Sequence, residues 1–342
     1  MTARTLAFDI LRRVDAGGYA SDLLLKAAVP LDPRDAALAY DIVFGVLRFR
    51  AQLDFLIAHY GATRKLDPEV RTALRMGIYQ LRYLERIPPH AAVAESVQLV
   101  KRAKKVSAAG LVNAVLRKVT RDPVEWPSRE VELSCPEWLI ARWERHHGAE
   151  AAIEIARAAL REPEKHTRAG RTQDIGAQTI VPLLCLAPGQ SFLDLCAAPG
   201  NKTAQALESG VRAVACDVHF HRIQELKNLA ADLLVLDGTQ PLPFARQFDR
   251  ILVDAPCSGT GTLGRNPEIK WKLRPDDLTD LQRRQRALLA NARAVLAPGG
   301  LLVYSTCSLE PEENEEVAAP GTYRLPGRDQ GDGFYSAVIK SE

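Results

Sequence analysis

One stretch, residues 191–202 (SFLDLCAAPGNK), constrains the fold of this chain more than any other. Its apolar beginning (Phe192, Leu193, Leu195) reads as a buried strand, Pro199-Gly200 breaks it, and a helix-compatible run follows from Lys202 to Glu208. Strand, tight loop and helix open a nucleotide-type site in an open α/β sheet, where ligands lie beyond the carboxyl ends of the strands. The loop lacks the G-x-G-x-x-G spacing, and its proline stands where a pyrophosphate needs close backbone approach and free amides. A dinucleotide oxidoreductase is therefore disfavoured, and a phosphate-free ligand fits better.

The sequence around this stretch repeats the pattern. From residue 178 strands and helices alternate: a helix to about Leu186, the strand at Phe192, strands at Val211–Cys216 and Asp232–Leu236 flanking a helix from His219 to Ala230. A strand at Arg250–Val253, a helix from Pro275 to Leu296 and a strand at Leu301–Tyr304 follow. Such alternation predicts a mostly parallel sheet with helices on both faces. Acidic residues recur at the strand ends, at Asp194, Asp217, Asp237 and Asp254. Asp217, 17 residues past Gly200, can take both ribose hydroxyls of an adenosine ligand, and Asp237 can face its adenine. A strand-end aspartate is often only a helix cap, but four in order favour a crevice for S-adenosylmethionine, which joins adenosine to a sulfonium and an amino-acid tail.

The front of the chain is different. From Ala3 to about Arg121 the apolar periodicity is helical, with Leu6, Ile10, Leu11 and Val14 on one face, and Gly17-Gly18, Pro30 to Pro33, Gly61 and Pro88-Pro89 marking turns. Five or six helices and no strand are expected. Residues 1–130 carry 21 Lys/Arg against 14 Asp/Glu, whereas the remainder carries 24 against 28, so a bland overall charge of +3 conceals a basic front. An anionic partner such as nucleic acid suits that asymmetry, as does a solvated helical face. No run of about 18 apolar residues occurs and the first residues do not read as a signal peptide, which predicts a cytoplasmic protein without membrane spans. The six cysteines are dispersed without a C-x-x-C pair, arguing against a disulfide framework and against a metal site.

Two of those cysteines stand apart. Cys257 follows the strand ending at Asp254 in D-A-P-C-S-G, and Cys307 follows the strand ending at Tyr304 in Y-S-T-C-S, fifty residues on. Both sit in polar loops after strands, where a thiolate can be exposed and activated. Cys135, Cys185, Cys196 and Cys216 read as small buried hydrophobes.

These segments resemble the RNA cytosine-C5 methyltransferase family, in its branch acting on bacterial 16S ribosomal RNA. The front segments, including Asp41-x-x-x-Gly45-Val-Leu-Arg48, the cluster Lys101, Arg102, Lys104 and Lys105, and residues 109–117, resemble the all-helical NusB-type RNA-binding domain. The resemblance implies a Rossmann-like methyltransferase sheet behind a NusB-like domain, with boundaries at 1–125, 126–177 (helical connector and linker) and 178–342. It implies Cys307 as nucleophile, Cys257 as its aid in product release, and Asp254 and Lys202 beside them. It implies a cofactor loop of Cys196, Ala197, Ala198, Pro199, Gly200, Asn201 and Lys202, with Asp217, Arg222, Asp237 and Asp254 as further contacts. Small-subunit ribosomal RNA is the expected partner and a monomer the expected state. Arg265, Lys270 and Lys272 are expected to hold substrate phosphates, and Trp271 to pack.

The chain departs from the family in three places. Asn201 replaces a usual glycine, which requires a backbone that is not left-handed there. The passages between Arg161 and Gln178 and between Glu316 and Leu325 are short. Methylation of transfer RNA or of DNA, and a non-catalytic RNA-binding factor, remain open alternatives; the pair of cysteines speaks against the last.

Overall fold

A computed structural model describes residues 2–27, 31–61 and 65–341; Pro30, expected in a turn, lies outside them. Contacts divide the chain into two units, one comprising Met1–Arg142, Ala159–Arg161 and Gly264–Lys272, the other Trp143–Ala158, Glu162–Leu263 and Leu273–Glu342.

The first unit is all-helical among the described residues: α1 (Ala3–Asp15), α2 (Ala20–Ala27), α3 (Pro33–Arg48), α4 (Arg50–His59), α5 (Pro68–Tyr83), α6 (Pro89–Arg102), α7 (Ala109–Arg117) and the single turn α8 (Arg129–Glu132). Local signals set the helix starts. Thr2 caps α1 by accepting from the Thr5 amide, and Asp32 followed by Pro33 starts α3. The predicted stripe of α1 is buried in full. Gly45 is required where α3 meets α5, because a Cβ there would lie 1.8 Å from Cζ of Tyr79. Arg75 of α5 is also structural: its guanidinium forks onto Asp54 at 2.7 Å through both Nε and Nη2.

After α9 (Glu137–His147), α10 (Ala149–Ala158) and a two-residue hairpin, β1 (Thr167–Arg168) and β2 (Arg171–Thr172), the second unit builds its sheet. The order of elements is α11 (Ile175–Gln178), β3 (Ser191–Asp194), α12 (Asn201–Leu207), β4 (Arg212–Asp217), α13 (Phe220–Ile223), β5 (Ala231–Val235) and β6 (Phe248–Asp254). Then come α14 (Ile269–Lys272, part of the first unit), α15 (Pro275–Ala294), β7 (Leu296–Thr306), β8 (Thr322–Arg324) and β9 (Phe334–Lys340). The seven strands run β5-β4-β3-β6-β7-β9-β8, parallel except for the pairings of β9 with β7 and β8. This is the expected Rossmann-like arrangement. The chain goes outward from β3 to β5 and returns to β6 beside β3, so the switch point lies between β3 and β6.

Alternation along the strands fills both faces. Leu193, Ile251, Val253, Leu302 and Tyr304 pack with Leu288, Leu289 and Ala292 of α15, while Phe192, Leu252 and Val303 pack on the other face with Val181 and Leu184. Two expected helices are shorter than the sequence suggests. Pro182 splits the first into α11 and a 3-10 turn at Val181–Leu184. The expected helix at 219–230 is one α turn followed by a 3-10 turn at Gln224–Leu226, where Leu226 packs against Gly200. Cys185 is exposed with a left-handed backbone (φ 47°), not buried as expected.

Candidate active site

The carboxyl ends of β3, β4, β6 and β7 carry the predicted residues. After β3 the chain turns through Cys196, Ala197, Ala198 and Pro199 to Gly200, whose left-handed backbone (φ 97°) starts α12. The Ala197 amide donates to Cys216 O at 2.8 Å, tying the loop to β4. Asn201 is the first residue of α12 and is not left-handed, so the glycine usual in the family is dispensable here; its amide side chain donates to Thr172 O at 2.9 Å. Thr203 locks the turn by donating to Asp194 Oδ2 at 2.7 Å. Asp194 is buried, its Oδ1 has no partner among the described residues, and burial pushes its carboxyl up to about 7.

At the end of β4 the buried Asp217 accepts from the His219 amide at 2.9 Å and lies 3.6 Å from Arg222, which also donates to Ala198 O at 3.1 Å. Arg222 thus links the loop after β3 to the carboxylate after β4. Asp237, after β5, is exposed and accepts from the Thr239 hydroxyl at 2.7 Å and amide at 3.0 Å, bonds that hold its carboxyl below the usual range. These three side chains and the 196–202 loop are the groups available to an adenosine ligand. The donor set fits S-adenosylmethionine: carboxylates for ribose hydroxyls and an unpartnered buried carboxylate oxygen near the loop.

The reactive groups sit at β6 and β7. Lys202 Nζ donates to Asp254 Oδ2 at 2.6 Å, and Ser305 Oγ donates to Asp254 Oδ1 at 2.7 Å. Burial works against the Lys202 ammonium, but Asp254 by charge and hydrogen bond, together with the Cys307 sulfur, raises it overall. Its cation also lies 5.2 Å from the centre of the Phe334 ring. Cys257 and Cys307 face each other at 3.4 Å between sulfurs, and both are free thiols. The hydrogen bond to Cys307, then burial, then nearby negative charge push the Cys257 thiol well up. Either sulfur can donate in this contact.

Several contributors were not singled out from the sequence. Ser305 stands beside the cysteine motif, and Phe334 belongs to the G-D-G-F-Y ending, whose turn is anchored by Asp174 accepting from the Asp332 amide at 3.0 Å. Glu313 is indistinguishable in sequence within the acidic run 310–316, where Glu310 is buried too, yet its carboxylate binds both cysteine loops. One expectation is corrected. Lys270 and Lys272 do not offer free cations to phosphates: Lys270 is buried and donates to Arg48 O at 2.9 Å, and Lys272 donates to Gly18 O at 2.5 Å. Both complete the helical unit, Lys270 at the end of α3 and Lys272 at the turn after α1. Trp271 packs there as expected, its Nε1 donating to Leu47 O at 2.7 Å.

Residues 181–321 match the family "16S rRNA methyltransferase RsmB/F", and residues 1–121 match the NusB family. A ribosomal RNA small subunit methyltransferase B from Cronobacter sakazakii is 33% identical over 421 aligned positions, covering 98% of this chain and 98% of that protein. This chain belongs to the small-subunit ribosomal RNA methyltransferase B family. A Yersinia pseudotuberculosis member matches over the same 98% of both chains at 33% identity. Because the alignment spans 421 positions and the chain has 342 residues, at least 79 positions of the relative have no counterpart here. The solved structure of PH0851 shares the fold over 100% of this chain and 99% of its own, with a TM-score of 0.78 at 20% identity. No described helix is long and apolar enough to cross a membrane.

Proposed function

We propose that this chain methylates carbon 5 of a cytosine in 16S ribosomal RNA, with S-adenosylmethionine as methyl donor. The carrying observation is the pair Cys257 and Cys307, 3.4 Å apart beside the Lys202–Asp254 pair at the carboxyl ends of parallel strands. Carbon 5 of cytosine is a poor nucleophile. Cys307 as thiolate adds to carbon 6, and the electron pair released into the ring makes carbon 5 an enamine carbon. When bound, S-adenosylmethionine supplies an electrophilic methyl group to that carbon. Charge gathering on the ring's O2–N3 edge is met by the Lys202 ammonium, while Asp254 accepts from the 4-amino group. Removal of the carbon 5 proton, aided by Cys257 directly or through water, returns the electrons and expels Cys307.

Asp217 and Arg222 hold the ribose side of the donor, Asp237 the adenine side, and residues 196–202 its amino-acid tail. The basic front, 1–125, binds RNA, 126–177 connects, and 178–342 carries the reaction, in a monomeric cytoplasmic enzyme. A target base must be flipped out or single-stranded for Cys307 to reach carbon 6.

The test is incubation with labelled S-adenosylmethionine and small-subunit ribosomal RNA, scoring methyl transfer and a denaturation-resistant protein–RNA adduct. Cys307→Ala is expected to lose both, by on the order of 10⁴-fold or more in rate, while Cys257→Ala accumulates adduct. A Cys307→Ala protein that still methylates overturns the assignment of roles. Transfer to transfer RNA in preference to ribosomal RNA, or no methylation of any RNA by the wild type, overturns the substrate and the enzyme reading respectively.

A further inference from the structure

Behind the two cysteines lies a buried polar knot. Glu313, fully buried on a 3-10 turn after β7, accepts from the Ser258 amide at 2.8 Å and from Gln285 Nε2 of α15 at 2.9 Å, both through Oε1. Its Oε2 accepts from the hydroxyls of both Ser258 and Ser308, which are themselves 3.0 Å apart. Ser258 follows Cys257 and Ser308 follows Cys307 in the chain. One carboxylate therefore fastens the loop after β6 to the loop after β7, immediately next to each sulfur. Further bonds brace the knot: Gln285 Nε2 also donates to Pro256 O at 3.0 Å, Tyr304 OH to Glu313 O at 2.6 Å, and Thr306 Oγ1 to Asn314 Oδ1 at 2.5 Å.

We propose that Glu313 is the positioning residue that sets the two sulfurs face to face and decides which of them is the nucleophile. The inference rests on the two-cysteine reading above. Its carboxylate holds the Cys257 loop through that loop's own backbone amide, and its negative charge, which burial opposes, adds to the causes that push the Cys257 thiol up. Without it the loops are left to their direct ties, among them Gly261 N to Cys307 O at 2.9 Å and Leu309 N to Thr260 Oγ1 at 2.8 Å, and Cys257 loses a neighbouring carboxylate. A generic core carboxylate predicts neither effect, only lower stability. The other charged groups facing the pair are Asp254, which also disfavours a Cys257 thiolate, and Lys202, which the Cys307 sulfur raises.

The test is competitive alkylation of the full-length protein with iodoacetamide at neutral pH, without RNA or methyl donor, each cysteine read by peptide mass spectrometry. In the wild type, Cys307 is expected to label ahead of Cys257 by about tenfold or more. In Glu313→Gln that ratio falls towards one through faster labelling of Cys257, and kcat for methylation falls about tenfold or more with KM for the donor unchanged. Glu313→Asp, which keeps the charge, restores part of the ratio. A Glu313→Gln protein that melts as a folded chain and keeps the wild-type ratio overturns the proposal. If Glu313→Gln does not fold, Ser308→Ala carries the test: it removes one strap and keeps the carboxylate, so kcat falls while Cys257 stays slow to label, and an unchanged kcat overturns the proposal. The labelling needs no substrate, so a chain that labels as expected yet methylates no RNA refutes the enzyme reading and not the role of Glu313.

Discussion

Two lysines, the partly buried Lys202 in one unit and the buried Lys270 in the other, show how differently the two regions treat an ion. Lys202 in the strand-end crevice has a carboxylate at 2.6 Å, and its ammonium is raised despite burial. Lys270 in the helical unit has the Arg48 carbonyl and the Trp271 ring, 5.2 Å from its ammonium, in place of a carboxylate, and burial pulls it down to about 8. The crevice thus keeps a full charge out of water by pairing it, which suits chemistry that needs a fixed positive group. The helical unit uses its lysine as a hydrogen-bond donor to the end of α3 and tolerates the electrostatic cost. Asp194 is the counterpart of Lys270 within the crevice, a buried carboxylate whose only hydrogen bond to a side chain is from Thr203.

The sharpest way to break this comparison is Lys202→Met. It leaves Asp254 partly buried with Ser305 alone as donor, and is expected to cost roughly 3 kcal/mol of stability and on the order of 10³-fold in kcat, checked by denaturant unfolding and by methyl transfer. A variant of wild-type stability would mean that Lys202 and Asp254 are not coupled. Asp194 comes next. Its folded carboxyl titrates near 7, above its unfolded value, so the folded state holds more protons between about pH 4 and pH 7 and stability falls as pH rises through that window. Asp194→Asn is expected to remove a stability change of roughly 4 kcal/mol across that window, read by urea unfolding at several pH values.

Lys270→Met gives the smallest and oppositely signed effect. The folded ammonium titrates near 8 and the unfolded one higher, so the unfolded state binds more protons between about pH 8 and pH 10.5 and wild-type stability rises across that window. Relative to Lys270→Met, wild type should gain roughly 3 kcal/mol over it. An equal slope in both proteins would show that Lys270 is not buried as an ion and would erase the contrast with Lys202.

Much of this was legible in the residues. The SFLDLCAAPGNK stretch placed the strand–loop–helix turn after β3, short apolar runs placed β3, β4, β6 and β7, and the α1 stripe at Leu6, Ile10, Leu11 and Val14 placed a helical core. Those signals are local, because strand and helix periods and turn residues act over a few positions. What was illegible depended on distant partners. The motif after Cys257 read as a phosphate-binding run, yet Lys270, Trp271 and Lys272 all spend their donors on carbonyls of the helical unit. Nothing in a row of lysines announces which backbone oxygens lack a donor two hundred residues away.

By itself the sequence determined the class of the main elements from α1 to β7, the order of the strand-end carboxylates and the two candidate cysteines. Only the tertiary structure decided that these cysteines meet at 3.4 Å, that Asp254 is shared by Lys202 and Ser305, and that Glu313 alone among the acids at 310–316 straps both loops. The reason is physical. A hydrogen bond or an ion pair depends on separations of a few ångströms between side chains that the chain order places fifty residues apart, and only the packed sheet brings them together.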